Sequence, residues 1–197
     1  MQPVAVSSAN SDFAELVRQL DAAVELGDAR RSTAAVKKTL SDMIRAGRIR
    51  LPERFYGTLP DTYARRLLHR DEARGYSAIV MTWGPGQGTM LHDHSGIWCV
   101  EGVIAGEMEV IQYEMTEDGS QTDGAYRFAP RGRVRAQPGA SGALIPPFEY
   151  HVLRNARHDT AAVTLHVYGG EMTSCSLFEP RADGAYARIE KCLVLND

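Results

Sequence analysis

Two hydrophobic patterns divide the chain. In the first part, apolar residues recur every three to four positions, which predicts amphipathic helices over residues 12–27 and 32–46. Two Leu-Pro pairs then mark a loop, after which Asp61 is suited to cap a short third helix over residues 62–69. The sequence therefore predicts a small helical extension at residues 1–72.

The second part of the chain has a period of two, is rich in β-branched and aromatic residues, and has turn residues at short intervals. About ten short strands are predicted, without a long helix between them. Their ranges are 77–83, 97–104, 108–115, 125–128, 134–137, 142–145, 151–155, 161–168, 174–178 and 187–195. This pattern predicts a mainly β domain, a jelly-roll-like barrel at residues 73–197, with the helical extension packed on it.

Composition predicts a globular protein with one core, without a nucleic-acid partner or a membrane span. The 197 residues are 44% hydrophobic, which is enough for one substantial core, and the net charge of −3 with scattered Lys and Arg argues against a nucleic-acid partner. No stretch reaches the ~20 apolar residues of a membrane span, and no signal peptide is evident. Cys99, Cys175 and Cys192 are odd in number and widely spaced, as expected of free thiols. We expect a cytoplasmic protein without membrane association.

Three histidines have positions that suit a shared metal ion. His92 and His94 are two residues apart, so on a strand both side chains point to the same face. His151 lies in a second strand region after a tight Pro turn, and a small barrel can bring it back to the first two. Three neutral imidazoles hold a metal and leave coordination positions open.

The spacing around these histidines resembles that of cupins, and specifically of the cysteine dioxygenase family. The first cupin motif, G-x5-H-x-H-x4-E-x6-G, is matched by Gly86, His92, His94 and Gly106, with Cys99 in the Glu position. The second motif, P-x-G-x2-H-x3-N, is matched by Pro146, His151 and Asn155, with Phe148 in place of the Gly. A cysteine in place of the carboxylate is typical of cysteine dioxygenases.

The resemblance includes residues beyond the metal motifs. Thr164-Leu-His166-Val-Tyr168 resembles the S-x-H-x-Y triad of the family, with Thr for Ser. This implies that His166, with Thr164, orients the hydroxyl of Tyr168 near the substrate. The resemblance also implies that Cys99 and Tyr168 are the residues of the thioether cross-link known in some members.

A further match concerns substrate binding. Tyr63-Ala-Arg65 resembles the Tyr-x-Arg of the family, which places Arg65 where it would bind the substrate carboxylate and Tyr63 in the pocket wall. Arg66 is the competing candidate, since only one of two successive side chains faces inward.

The implied activity is that of a non-haem iron thiol dioxygenase, which oxidises L-cysteine with O₂ to cysteine sulfinic acid. Fe²⁺ held by three neutral histidines keeps its full charge and favours an anionic thiolate. All four electrons come from the thiol, so no organic cofactor or external reductant is expected. Alternative substrates are 3-mercaptopropionate and mercaptosuccinate.

Two other classes of function use the same histidines. A cupin isomerase or a Zn or Mn hydrolase would bind a metal without redox chemistry, and a non-enzymatic cupin would only bind a small ligand. The isomerase or hydrolase class leaves Arg65 and the Thr164, His166 and Tyr168 set without an explanation. The non-enzymatic class needs no redox metal and predicts ligand-dependent thermal stabilisation without O₂ uptake.

Overall fold

The structure, a computed structural model, describes residues 8–121 and 123–196. Within these residues, two helices precede eleven strands, with short 3-10 turns at Glu53–Phe55 and Gly119–Gln121. The helices are α1 (Ser8–Val24) and α2 (Ala29–Arg45). The strands are β1 (Ala64–Asp71), β2 (Tyr76–Trp83), β3 (Leu91–His92), β4 (Cys99–Ala105), β5 (Met108–Glu117), β6 (Arg127–Ala136), β7 (Ser141–Leu144), β8 (His151–Asn155), β9 (Ala162–Tyr168), β10 (Ser174–Pro180) and β11 (Tyr186–Cys192).

The strands form two antiparallel sheets. One has the order β1-β2-β9-β4-β7, and the other has the order β11-β10-β3-β8-β5-β6. The prediction of a mainly β domain is confirmed. The two sheets do not close into a barrel through strand pairing among the described residues. Side chains that point between the sheets therefore form the interior in which a site can be built.

The two predicted helices are confirmed and cover the outer face of the five-stranded sheet. Asp28 caps α2 by accepting a 2.9 Å hydrogen bond from the backbone N–H of Arg31. Leu40 is fully buried, and such burial stabilises a fold by ~1.5–3 kcal/mol per side chain. At Gly102 of β4, an added Cβ would lie 3.0 Å from the Ile44 side chain, so this glycine allows the close approach of helix and sheet.

The third helix predicted at residues 62–69 is wrong. This segment is the edge strand β1, which pairs with β2 along its length, for example Arg65 with Met81. The paired strand satisfies backbone groups that would otherwise remain open on β2, and this tertiary interaction outweighs the local N-cap signal of Asp61. The division of the chain at residue 72 remains a prediction, although β1 places residues 64–71 in the sheet.

Two further strand boundaries differ from the pattern. The segments predicted at 125–128 and 134–137 are one continuous strand, β6, whose pairing with β5 passes an irregularity opposite Gln112 and Tyr113. A bulge lets the ladder continue across the Pro and Gly residues that resemble a turn in the sequence. In contrast, β3 is only two residues long, and His94 lies just beyond its end.

Candidate metal centre

The three candidate histidines converge between the sheets. His92 on β3 is the direct partner of His151 on β8, and their Nε2 atoms lie 3.2 Å apart. His94 lies two residues after His92, with its ring centroid 5.2 Å from that of His92 and 4.9 Å from that of His151. One nitrogen from each ring lies within 4.8 Å of the other two. The sequence-predicted set is therefore brought together as a possible three-nitrogen site.

The three imidazole rings are in the neutral state that metal binding requires. Burial lowers the pKa of His92, and lowers the pKa values of His94 and His151 well below the usual value, so the imidazoles are neutral near pH 7. Nδ1 of His92 lies 3.0 Å from the carbonyl oxygen of Met90. Because a carbonyl oxygen only accepts, Nδ1 carries the hydrogen and Nε2 presents its lone pair to the centre. The residues present thus fit a divalent metal with a preference for nitrogen ligands.

A second cluster of metal-ligand residue types has a different explanation. Asp21, His69 and Asp71 also lie close together. However, Arg74 forms a 2.8 Å ion pair with Asp71 and lies 4.0 Å from Asp21, and the hydroxyl of Tyr76 donates a 2.6 Å hydrogen bond to Asp21. The arginine neutralises the carboxylates, so this cluster is an ion-pair network rather than a metal site.

A buried hydrogen-bonded chain runs beside the three histidines. The indole N–H of Trp83 donates to the Thr164 hydroxyl at 2.9 Å, and this hydroxyl lies 2.8 Å from Nε2 of His166. Trp83 can only donate to this hydroxyl, so among the described residues Nε2 of His166 is the acceptor in reach of the hydroxyl hydrogen. If the hydroxyl donates to Nε2, the proton of the neutral ring is on Nδ1. Burial, with a contribution from the Arg65 charge, lowers the pKa of His166 to about 3. His166 is therefore a neutral donor through Nδ1.

Cys99 and Tyr168 occupy facing positions on neighbouring strands. They are direct partners in the pairing of β4 with β9, and both are buried. The Tyr168 ring lies 6.2 Å from the ring of His94 and stacks on His166 with centroids 6.0 Å apart. Burial raises the pKa values of the Cys99 thiol and the Tyr168 hydroxyl well above their usual values. Both groups are therefore protonated near pH 7 and lie next to the candidate metal ligands.

Of the two adjacent arginines, Arg65 faces the site. It is 4% exposed, and its guanidinium lines the same pocket as the three histidines. Its Nη1 donates to the carbonyl of Val194 at 3.3 Å and its Nη2 to that of Met172 at 3.4 Å. Because successive strand residues point to opposite faces, Arg66 points away from the pocket. Both arginines are buried, but it is Arg65, the arginine of the Tyr-x-Arg match, that lines the pocket.

The pocket is narrow and mostly aromatic or apolar in its wall. Its cavity measures about 20 Å³, and Tyr63 contributes to the wall by packing on Trp83 with ring centroids 4.4 Å apart. The remaining wall residues are Met81, Thr89, Leu153, Met172, Cys175 and Leu193. This wall excludes bulk water from the polar groups, which strengthens electrostatic interactions between them.

Sequence reasoning missed two parts of this site. The C-terminal segment reaches it: Asn196 accepts from the backbone N–H of Arg65 at 2.8 Å and donates to its carbonyl at 2.6 Å, while Leu193 lines the pocket. No local signal in the segment indicates this. Glu101 was also missed, although it lies two residues after Cys99 on the same strand and thus on the same face. The period-two pattern was the signal that pointed to it.

Comparison with known proteins identifies the family. Residues 1–181 match the family model of cysteine dioxygenase type I. The chain belongs to this family. Cysteine dioxygenase type 1 of Danio rerio is 27% identical over 120 residues, which cover 60% of this chain and 57% of that protein. The enzyme of Rattus norvegicus is 20% identical over 119 residues, which cover 60% and 56%, respectively. The matched region thus spans little more than half of each curated relative.

Membership in the cysteine dioxygenase family confirms the resemblance seen in the motifs, and the two-sheet architecture agrees with the expected cupin fold. Among solved structures, the Cnp3 cupin domain of Schizosaccharomyces pombe is 12% identical and is matched over 55% of this chain and 61% of that chain, with a TM-score of 0.41. In the part of the chain that the structure describes, neither helix has the length and apolar character needed to cross a bilayer.

Proposed function

We propose that this protein is a non-haem iron thiol dioxygenase that converts L-cysteine and O₂ to cysteine sulfinic acid. The observation that carries the proposal is the shared pocket: three neutral buried imidazoles lie beside the Cys99 and Tyr168 pair and the Arg65 guanidinium. His92, His94 and His151 are the proposed ligands of Fe²⁺. Membership in the cysteine dioxygenase family supports the same assignment.

The proposed reaction balances without a second reductant. Both oxygen atoms of O₂ are added to the sulfur of the thiol, which loses four electrons, so RSH and O₂ give RSO₂H. When bound, Fe²⁺ would supply an open coordination site that favours the thiolate form of the substrate and permits electron transfer to O₂. Three neutral protein ligands leave the charge of the metal uncompensated, which makes an anionic sulfur ligand favourable.

Arg65 is proposed to bind the substrate carboxylate. Its present hydrogen bonds to two main-chain carbonyls are long, at 3.3 and 3.4 Å, and its Nε has no hydrogen-bond partner among the described residues. A carboxylate forms shorter, charge-assisted bonds with a guanidinium, typically at about 2.7–2.9 Å. The buried guanidinium therefore gains more from a substrate carboxylate than from the carbonyls. Tyr63 is proposed to form the adjacent pocket wall.

Tyr168 is proposed to donate a hydrogen bond to the reacting groups. Its raised pKa keeps the hydroxyl protonated near pH 7, and its ring lies next to His94. The chain from Trp83 through Thr164 holds His166, whose ring stacks on Tyr168 and limits its orientation. This arrangement provides a positioned proton donor within a dry pocket.

We also propose that Cys99 and Tyr168 form a thioether cross-link, in which the Cys99 sulfur bonds to a ring carbon of Tyr168, the S–H and ring C–H hydrogens are lost, and O₂ accepts the two electrons. The support is their direct pairing on β4 and β9, together with the shared burial of the two side chains. Such a bond would hold the phenol ring beside the metal ligands at a fixed orientation.

The proposed location is the cytoplasm, and the proposed partners are a small thiol and O₂ alone. Cys99, Cys175 and Cys192 are all free thiols in the structure, as a reducing compartment favours.

The experiment that tests the function is O₂ consumption by the purified protein loaded with Fe²⁺. L-Cysteine, 3-mercaptopropionate and mercaptosuccinate are supplied in turn, and the sulfinate product is quantified. Turnover of L-cysteine with one O₂ consumed per sulfinate supports the proposal. Removal of the metal with a chelator is expected to abolish this turnover. Exclusive turnover of another thiol reassigns the substrate. Full occupancy by Zn or Mn with no O₂ uptake for any of the three thiols contradicts dioxygenase activity.

A further inference from the structure

Glu101 is a buried acidic residue that the proposed reaction leaves without a role. It lies on β4, where alternation places its side chain on the same interior face as Cys99. The residue is 9% exposed, and its Oε2 atom has no hydrogen-bond partner among the described residues. A buried carboxyl without a partner is costly for the fold, so its retention in the interior requires an explanation.

The carboxyl of Glu101 lies between two imidazoles. Its Oε1 atom is 3.9 Å from Nδ1 of His151, and its Oε2 atom is 3.7 Å from Nδ1 of His166. Nδ1 of His151 is likewise buried without a partner in the described part of the chain. On the neighbouring strand β7, the residue opposite Glu101 is Gly142, where an added Cβ would lie 3.7 Å from Oε1 of Glu101, an ordinary van der Waals contact.

Both facing nitrogens are expected to carry hydrogen. The Thr164 hydroxyl occupies Nε2 of His166, so the proton of that ring is on Nδ1. Nε2 of His151 faces Nε2 of His92 at 3.2 Å, on the side where the three histidines converge. If His151 binds a metal through Nε2, its proton must also be on Nδ1. Two N–H donors therefore face the two oxygens of one carboxyl.

We infer that Glu101 is a positioning residue that faces Nδ1–H of both His151 and His166 and accepts hydrogen bonds from them when the separations of 3.9 and 3.7 Å shorten to the ~2.7–3.2 Å of an N–H···O bond. It would thereby hold the Nε2 lone pair of His151 toward the metal and tie this ligand to the Trp83–Thr164–His166 chain. Burial raises the pKa of Glu101 to about 8, and hydrogen bonds from the two facing N–H groups would offset this by favouring the ionised form. Carboxylates commonly play this part behind a metal-bound histidine, and their loss typically weakens metal binding by about 10- to 100-fold. The inference rests on the proposed metal site, but it concerns a residue outside the ligand set, at a position that the first cupin motif leaves unspecified.

Metal affinity gives the first test. Fe²⁺ binding is measured anaerobically by competition with a chelator for the wild type, Glu101→Leu and Glu101→Gln. The matched control that removes a charge is Glu109→Gln, since the wild-type Glu109 carboxylate pairs with Arg133 on the surface. Glu101→Leu is expected to weaken binding by roughly 10- to 100-fold. Glu101→Gln keeps one accepting oxygen and is expected to lose less, while Glu109→Gln is expected to match the wild type.

Histidine tautomers give a second test that does not depend on affinity. Long-range proton–nitrogen NMR correlations of the Zn²⁺-loaded protein should show the Nδ1–H form for His151 and His166 in the wild type, with altered Nδ1 shifts in Glu101→Gln. An Nε2–H form of either ring overturns the inference, as does Fe²⁺ affinity of both Glu101 variants within about twofold of the wild type. If Glu101→Leu does not fold, the Fe²⁺ affinity of Glu101→Gln and the histidine tautomers test the inference. Failure of the wild type to bind Fe²⁺ overturns the proposed function as well, whereas unchanged binding in the variants overturns this inference alone.

Discussion

The hydroxyl of Thr164 lies 2.8 Å from Nε2 of His166, and this contact determines which nitrogen of the ring carries the proton. The hydroxyl also accepts from the indole of Trp83, which has no lone pair to offer, so Nε2 is the acceptor in reach of the hydroxyl hydrogen among the described residues. His166 consequently presents Nδ1–H toward Cys99 and Glu101, at 3.9 Å and 3.7 Å. The Thr164 hydroxyl thus sets which nitrogen of His166 carries the proton that faces Cys99 and Glu101.

Replacing Thr164 tests this relationship. Thr164→Val preserves the shape of the side chain but leaves Trp83 Nε1–H and His166 Nε2 without their partner. Because each unsatisfied buried polar group costs ~1–3 kcal/mol and the variant leaves two, the free energy of unfolding should fall by about 2–6 kcal/mol in urea denaturation. Thr164→Ser keeps the hydroxyl and serves as the control, with stability within about 1 kcal/mol of the wild type. Equal stability of Thr164→Val and the wild type would contradict the hydrogen-bonded chain.

Arg65 should determine affinity for carboxylate-bearing thiols. Arg65→Lys removes the planar pair of donors, and a lost charge-assisted hydrogen bond of ~1.5–3 kcal/mol corresponds to a rise in KM for L-cysteine of roughly 10- to 100-fold. Steady-state O₂ uptake measures this effect. Cysteamine, which has no carboxylate, should show a much smaller change in the same variant.

The neighbouring arginine provides the matched control for this experiment. Arg66→Lys makes the same chemical change one residue later on β1, on the face that points away from the pocket. KM for L-cysteine should remain near the wild-type value in this variant. An equal rise in KM for both variants would show that the effect is structural and that Arg65 does not bind the carboxylate.

The facing positions of Cys99 and Tyr168 predict a cross-link that a denaturing gel can detect. Protein that has turned over L-cysteine with Fe²⁺ should run as two bands, and Cys99→Ser should run as one, because the cross-linked chain remains more compact when denatured. Cys175→Ser removes a cysteine that lines the pocket but is not the strand partner of Tyr168, and this variant should keep both bands. Intact mass should fall by two hydrogens in the cross-linked form. Two bands in Cys99→Ser would rule out this sulfur.

The lowered pKa of His166 predicts a pH-dependent stability. Burial moves the pKa from 6.5 in the unfolded reference to about 3 in the folded protein, so between these values the unfolded chain binds the extra proton. Stability from this group is therefore complete above pH 6.5 and is lost as the pH falls toward 3, by at most ~1.4 kcal/mol per pH unit. Urea denaturation of the metal-free protein across this range measures the slope. In His166→Gln, the free energy of unfolding should change less per pH unit, by up to the ~1.4 kcal/mol that one bound proton contributes. An unchanged slope would refute the lowered pKa of His166.

Local sequence patterns predicted much of the fold because each pattern depends on neighbouring residues. The three-to-four spacing in α1 and α2 and the alternation in β2, β4 and β9 specify which side chains share a face. Alternation also explains why the His166 and Tyr168 side chains lie on one side of β9. The error at residues 62–69 has the opposite cause, since β1 is stabilised by hydrogen bonds to β2 that no local pattern reveals.

For this protein, the sequence alone determined the cupin motifs, the three candidate ligands, and the preference of Arg65 over Arg66. Only the tertiary structure decided that Glu101 lies between His151 and His166, and that Asn196 reaches Arg65 across the open edge of β1. The physical reason is distance along the chain. Spacing within one strand sets the face to which a side chain points, whereas the residue that it meets depends on strands and a terminal segment brought together only by folding.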